Sequence, residues 1–126
     1  RSTVVSDDVT KVKKIIFSPR LLAARVLVDP ELTLRLPASI TASTGMDALT
    51  HLVESYLARG FQPLCDGIAL EGLRLLSFNL APAVRFARRV EEGDGDALAS
   101  PEHVEARGMM LNAALMGAVA FQKGLG

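Results

Sequence analysis

The hydrophobic positions along this chain change their period once, near residue 30. Before it they come in short runs. Thr3-Val4-Val5, Ile15-Ile16-Phe17 and Val26-Leu27-Val28 are β-branched, aromatic or aliphatic, and Ser6-Asp7-Asp8 and Ser18-Pro19 break them with turn-forming residues. Three short strands are predicted, of a length that usually belongs to a larger sheet. After Asp29-Pro30 the spacing moves to 3.6 residues, and Pro37 with Ser39 suits a helix start. In residues 46–59, Leu49, Leu52, Val53, Tyr56 and Leu57 fall at i, i+3, i+4, i+7 and i+8, a stripe predicted to face a core, with Gly60 as the stop. Residues 63–79 repeat the logic, with Leu64, Ile68, Leu75 and Leu76 inward and Asp66, Glu71 and Arg74 outward. Pro82 is predicted to break or restart that helix.

Residues 88–100 contain Glu91-Glu92-Gly93-Asp94-Gly95-Asp96 and no apolar periodicity, so they read as an exposed loop. Nothing fixes those carboxylates around a cation. Pro101-Glu102 opens a last helix that is apolar on nearly all sides over 109–121 and is therefore predicted to be buried. Its Met109, Met110 and Met116, like Met46 earlier, read as core filler. The expected fold is mainly α, with short strands first.

Composition narrows the picture mainly by exclusion. A chain of 126 residues that is 49% hydrophobic and 22% charged is within the range of one globular domain and not of a disordered one. Lys plus Arg and Asp plus Glu both number 14, which leaves no electrostatic footprint for nucleic acid or an anionic membrane. The uncharged stretch 109–122 is shorter than the roughly 20 apolar residues of a bilayer span, so no membrane association is expected. Cys65 is the only cysteine and reads as a small buried hydrophobe in a reducing, cytoplasmic setting. Arg1 is neither an initiator Met nor the start of a basic-then-apolar leader, so no signal peptide is expected.

Candidate chemistry lies in the helix that starts near Met46. Asp47 and His51 are four residues apart, about 40° on a helical surface, so a carboxylate and an imidazole stand one above the other within reach of a single divalent ion. Glu54 falls on the same side, away from the stripe centred on Tyr56. The spacing alone is a weak signal, because an Asp in a first helical turn and an Asp/His pair at i, i+4 are common on surfaces.

The surrounding string is more specific. ITASTGMDALTHLVESY, from Ile40 to Tyr56, resembles the helix of iron-containing (group III) alcohol dehydrogenases in which the Asp and the His four residues later bind the metal. Upstream, KKIIFSPRLLAARVLVDPELTLRLP resembles that family's Lys-containing segment, Ser-Pro turn and Asp-Pro-x-Leu-Thr. Downstream, DGIALEGLRLLSFNLAPAV and AFQKGLG resemble its next helices, and 88–102 is the least family-like stretch.

The resemblance implies that residues 1–36 are the tail of an α/β nucleotide-binding domain and 37–126 the first helices of an all-α metal-binding domain. Asp47 and His51 match two metal ligands. Lys13, or Lys14 if the register slips by one, matches a lysine near the nicotinamide. Fe²⁺ or Zn²⁺ and NAD or NADP are the implied cofactors, and a small alcohol or aldehyde the substrate. The other two metal ligands are histidines expected after Gly126, and the Gly-rich pyrophosphate turns are expected before Arg1. His103 matches no ligand and reads as a surface residue. By itself the chain is expected to be catalytically silent and to associate with copies of itself, covering its last helix and its strand edges. Two alternatives remain: a non-catalytic, self-associating helical module derived from the family, and a relative that reduces unsaturated oxo acids. Retention of both Asp47 and His51 argues against the second.

Overall fold

A computed structural model describes residues 2–124. The chain is mainly α: an antiparallel hairpin of β1 (Ser2–Ser6) and β2 (Lys13–Phe17) leads through two 3₁₀ turns, Pro19–Leu21 and Pro30–Thr33, into α1 (Ala38–Leu57), α2 (Pro63–Glu91), α3 (Gly95–Ala99) and α4 (Pro101–Gly124). The ladder runs from Ser2 opposite Phe17 to Ser6 opposite Lys13. Asp7 closes the loop between the strands. Its carboxylate accepts from the backbone N–H of Val9 and Thr10 and from Lys14 Nζ at 2.6 Å, and these bonds hold its pKa down at about 2. The turns start as the Ser-Pro and Asp-Pro pairs suggest, with Ser18 Oγ accepting from Arg20 N–H and Asp29 Oδ1 from Glu31 N–H.

The third predicted strand, Val26-Leu27-Val28, does not form. No other described strand lies beside it to complete a ladder, and Leu27 is almost fully exposed.

The core lies among α1, α2 and α4 and is built on small residues. On α1 the buried positions are Ala38, Thr41, Gly45, Ala48, Leu52 and Ser55, a run of alternating three- and four-residue steps. Facing them are Ala69, Gly72 and Leu76 of α2 and Ala113, Gly117 and Ala120 of α4. Leu52, fully buried, is the largest apolar side chain sealed there. A Cβ on Gly72 would lie 2.5 Å from Leu52 Cδ2, so glycine is what lets α2 approach α1 this closely.

Several expectations from periodicity are corrected. The buried seam of α1 runs through Ala48 and Leu52 and not through Tyr56 and Leu57, which are exposed. Leu64, expected inward, is exposed in the first turn of α2, whereas Asp66 is half-buried and paired with the nearly buried Lys123 at 2.5 Å. Pro82 does not interrupt α2: Ala69, Gly72 and Leu76 before it and Ala83 and Ala87 after it are all buried. Packing on both sides offsets a cost of about 3 kcal/mol for an internal proline. Residues 88–100 are not one loop, since α2 runs to Glu91 and Asp94 caps α3 by accepting from Ala97 N–H at 2.9 Å. α4 begins at Pro101 as predicted, but over 109–121 it is buried on one face only, with Leu115 and Val119 exposed. Cys65 is half-buried. Among the described residues no helix is long and apolar enough to cross a membrane.

Candidate functional site

At 100° per residue, His51 lies roughly 90° and Asp47 roughly 130° from the middle of the buried seam of α1. His51 is therefore at the margin of the core and Asp47 one step further out. The exposures follow that order, 38% of the His51 side chain against 71% for Asp47. α4 holds the imidazole from the other side. The Phe121 ring packs against it with centroids 4.7 Å apart, and a Cβ on Gly117 would meet His51 Cβ at 3.4 Å. Ser55 Oγ donates to the His51 carbonyl one turn on.

Asp47 Oδ2 is 3.9 Å from His51 Nδ1. A tetrahedral ion with ordinary carboxylate and imidazole bond lengths would set the two atoms about 3.4 Å apart. The remaining gap is within reach of a small rotation of the exposed Asp47 side chain. A hard oxygen and a borderline nitrogen suit Fe²⁺ and Zn²⁺ alike. The donor set is incomplete here, since no group of three His, Cys, Asp or Glu side chains converges among the described residues.

His51 also borders a cleft of about 760 Å³ between the hairpin and the bundle. Ile15 and Phe17 of β2 line it on one side, and Val119 and Phe121 of α4 on the other. The walls are mostly apolar, and the cleft is open enough that Ile15, Phe17 and Val119 remain exposed along it. Lys13 is not one of the lining residues. By strand alternation it nevertheless shares a face of β2 with Ile15 and Phe17. Lys14 belongs to the opposite face and is engaged with Asp7.

The residue that sequence reasoning missed is His103. Expected at the surface, it is fully buried. Its ring stacks on Phe86 of α2 at 5.2 Å. Nδ1 lies 3.1 Å from the Ala97 carbonyl of α3, and Nε2 lies 3.2 Å from Arg107 Nε. Since an arginine N–H can only donate, Nε2 is the acceptor and the Nδ1–H donates to Ala97, which assigns the neutral tautomer. Burial, and then the Arg107 charge, push the His103 pKa below its usual value against the opposing pull of the Ala97 carbonyl. Arg107 is buried as well, its Nη1 donating to Thr41 Oγ1 at 2.7 Å and its Nη2 to the Leu36 carbonyl at 3.0 Å. One sequence signal was available: His103 and Arg107 are four residues apart on a helix whose other buried positions are all small.

Residues 41–125 match the family described as "Fe-containing alcohol dehydrogenase family, C-terminal". The chain is 45% identical over 106 residues to 4-hydroxybutyrate dehydrogenase of Cupriavidus necator, a match covering 84% of this chain and 24% of that protein. It is 36% identical over 121 residues to NAD-dependent methanol dehydrogenase of Bacillus methanolicus, covering 96% and 28% respectively. Among solved structures, sulfoacetaldehyde reductase from Bifidobacterium kashiwanohense in complex with NAD⁺ superposes with a TM-score of 0.74 at 33% identity, over 94% of this chain and 28% of that one. The chain thus spans about a quarter of the length of each of these relatives.

Proposed function

The chain belongs to the Fe-containing alcohol dehydrogenase family, and on that premise we propose that it forms the domain junction of an NAD(P)-linked, metal-dependent alcohol dehydrogenase. Residues 1–36 are the end of the α/β nucleotide-binding domain, and 37–126 the opening helices of the metal-binding domain. The observation that carries this reading is the placement of a carboxylate and an imidazole, one helical turn apart, where α1 meets the cleft between hairpin and bundle.

In this reading Asp47 and His51 hold Fe²⁺ or Zn²⁺. At least one further protein ligand is needed for an active-site ion, and we assign it to another segment of a longer protein. When bound, the ion would supply a Lewis acid for the oxygen of an alcohol or aldehyde, and NAD or NADP would supply the hydride chemistry. Asp47 contributes negative charge at the solvent side. His51 is oriented by Phe121 and Gly117, so its ring turns little. The apolar cleft walls offer a surface for the carbon skeleton of the substrate, and Lys13 serves the nicotinamide side. A small primary alcohol or its aldehyde is the substrate class. A cytoplasmic location and homo-oligomeric assembly complete the proposal, the second supported by the exposed apolar residues and open edges of the hairpin.

The test uses the full-length protein. Asp47→Ala and His51→Ala should each strip bound metal, measured by elemental analysis, and abolish NAD(P)-linked alcohol oxidation. Compared metal-free, both should melt within a degree or two of the parent, because neither side chain is part of the sealed core. Full metal content and turnover in Asp47→Ala would end the assignment.

A further inference from the structure

Arg107 is the most constrained charge in the bundle. Only 3% of it is exposed, and no carboxylate among the described residues forms an ion pair with it. A guanidinium buried without a counter-charge persists only if its donors meet good acceptors. They do, and the acceptors come from separate parts of the chain: the Leu36 carbonyl in the segment leading to α1, Thr41 Oγ1 in the first turn of α1, and His103 Nε2 on α4 itself. Arg107 also borders a cavity of about 140 Å³ between α1 and α4. The hydroxyls of Thr33, Thr41 and Thr44 beside that cavity already donate to backbone carbonyls, so little beyond the guanidinium is left there to bind an anion. The side chain is better explained by what it ties together.

From this geometry we propose that Arg107 is a positioning residue for the Asp47–His51 pair, and the proposal rests on the metal-binding reading given above. It grips the start of α1, whose third and fourth turns carry Asp47 and then His51 in a rigid helix. The pair's distance from α4 is thereby set at one end by Arg107 and at the other by the contact of His51 with Phe121. The entering segment is held too, since the Pro30–Thr33 turn packs on α4 beside Gly108. His103 completes the device. Its neutral Nε2 accepts from Arg107 Nε while its Nδ1–H is anchored on Ala97, so the guanidinium plane has one orientation available. A lysine at position 107 would keep the charge but could not donate in a fixed plane to all three acceptors.

The full-length protein with Arg107→Lys, His103→Gln and His103→Phe tests this, with amide hydrogen exchange and Co²⁺ titration as readouts. In Arg107→Lys, amides of residues 38–51 should exchange faster while those of 64–76 keep their protection, and Co²⁺ affinity should fall about tenfold, the scale of losing a group that orients a metal ligand. His103→Phe, which keeps the stack on Phe86 but removes the acceptor, should behave alike. His103→Gln retains an acceptor and should restore parental affinity. A uniform rise in exchange across all helices, or parental Co²⁺ affinity in Arg107→Lys, overturns the proposal. Asp47→Ala is the control on the metal reading. If it binds Co²⁺ as tightly as the parent, that reading fails, and the exchange pattern alone then decides whether Arg107 sets the start of α1.

Discussion

In the hairpin Val4, Ile15, Ile16 and Phe17 are all exposed, whereas in the bundle the much smaller Ala69, Ala113 and Ala120 are completely sealed. Side-chain size alone would have ranked them the other way. The difference lies in what the backbone can approach. A two-stranded ribbon has no second layer to lie against and cannot close a core by itself. Helices with Ala and Gly along their seams can approach until only a few larger side chains, chiefly Leu52 and Leu76, fill the space between α1 and α2. Stability in this chain is therefore concentrated in the bundle, and the hairpin contributes a wall of the cleft.

Leu52→Ala offers the sharpest break of that comparison. Removing this fully sealed side chain should cost about 3 kcal/mol, read as a drop in the urea midpoint with unchanged slope. A loss near zero would mean that the small-residue seam holds without it. His103→Ala comes next, at about 2 kcal/mol, because it leaves Arg107 Nε without its acceptor inside the protein and empties the stack on Phe86. If that variant unfolded like a surface substitution, the buried network would not be the constraint described here.

A smaller effect should appear with pH. The folded pKa of His103 lies below its usual 6.5, so the folded protein keeps the ring neutral where the unfolded chain takes up a proton. Its contribution is present above about pH 6.5 and is lost as pH falls from there through the folded value. Groups facing the ring are Arg107 on its own helix, Phe86 from α2 and the Ala97 carbonyl from α3, none of them a carboxylate. Comparing urea midpoints between about pH 7.5 and about pH 5.5 isolates the effect from the acidic groups. The parent should lose stability over that interval, and His103→Gln should lose less. Smallest of all is Ile16→Thr in the hairpin. It should shift the midpoint by no more than about 0.5 kcal/mol, since the side chain is already exposed and threonine suits a strand. A larger loss would show that the hairpin is docked more firmly than its contacts suggest.

What the amino-acid sequence determined by itself was everything set by local geometry. The early strand runs, the Ser-Pro and Asp-Pro turns, the opening of the last helix at Pro101 and the placement of Asp47 and His51 one turn apart all follow from backbone periods and turn chemistry over a few residues. What only the tertiary structure decided was which face of each helix is buried. Hydrophobic periodicity gives weight to large side chains and so pointed to Tyr56 and Leu57, whereas the packed seam follows Ala48, Gly45 and Ser55 because small residues permit the closest approach. The same long-range packing carried α2 straight through Pro82, left 26–28 without a strand partner, and drew His103 and Arg107 into the interior. Their partners, Phe86, Ala97, Thr41 and Leu36, lie on other elements and up to 71 residues away along the chain. The four-residue spacing of His103 and Arg107 is the one local hint, and it says nothing of the distant donors and acceptors that meet them once the helices close.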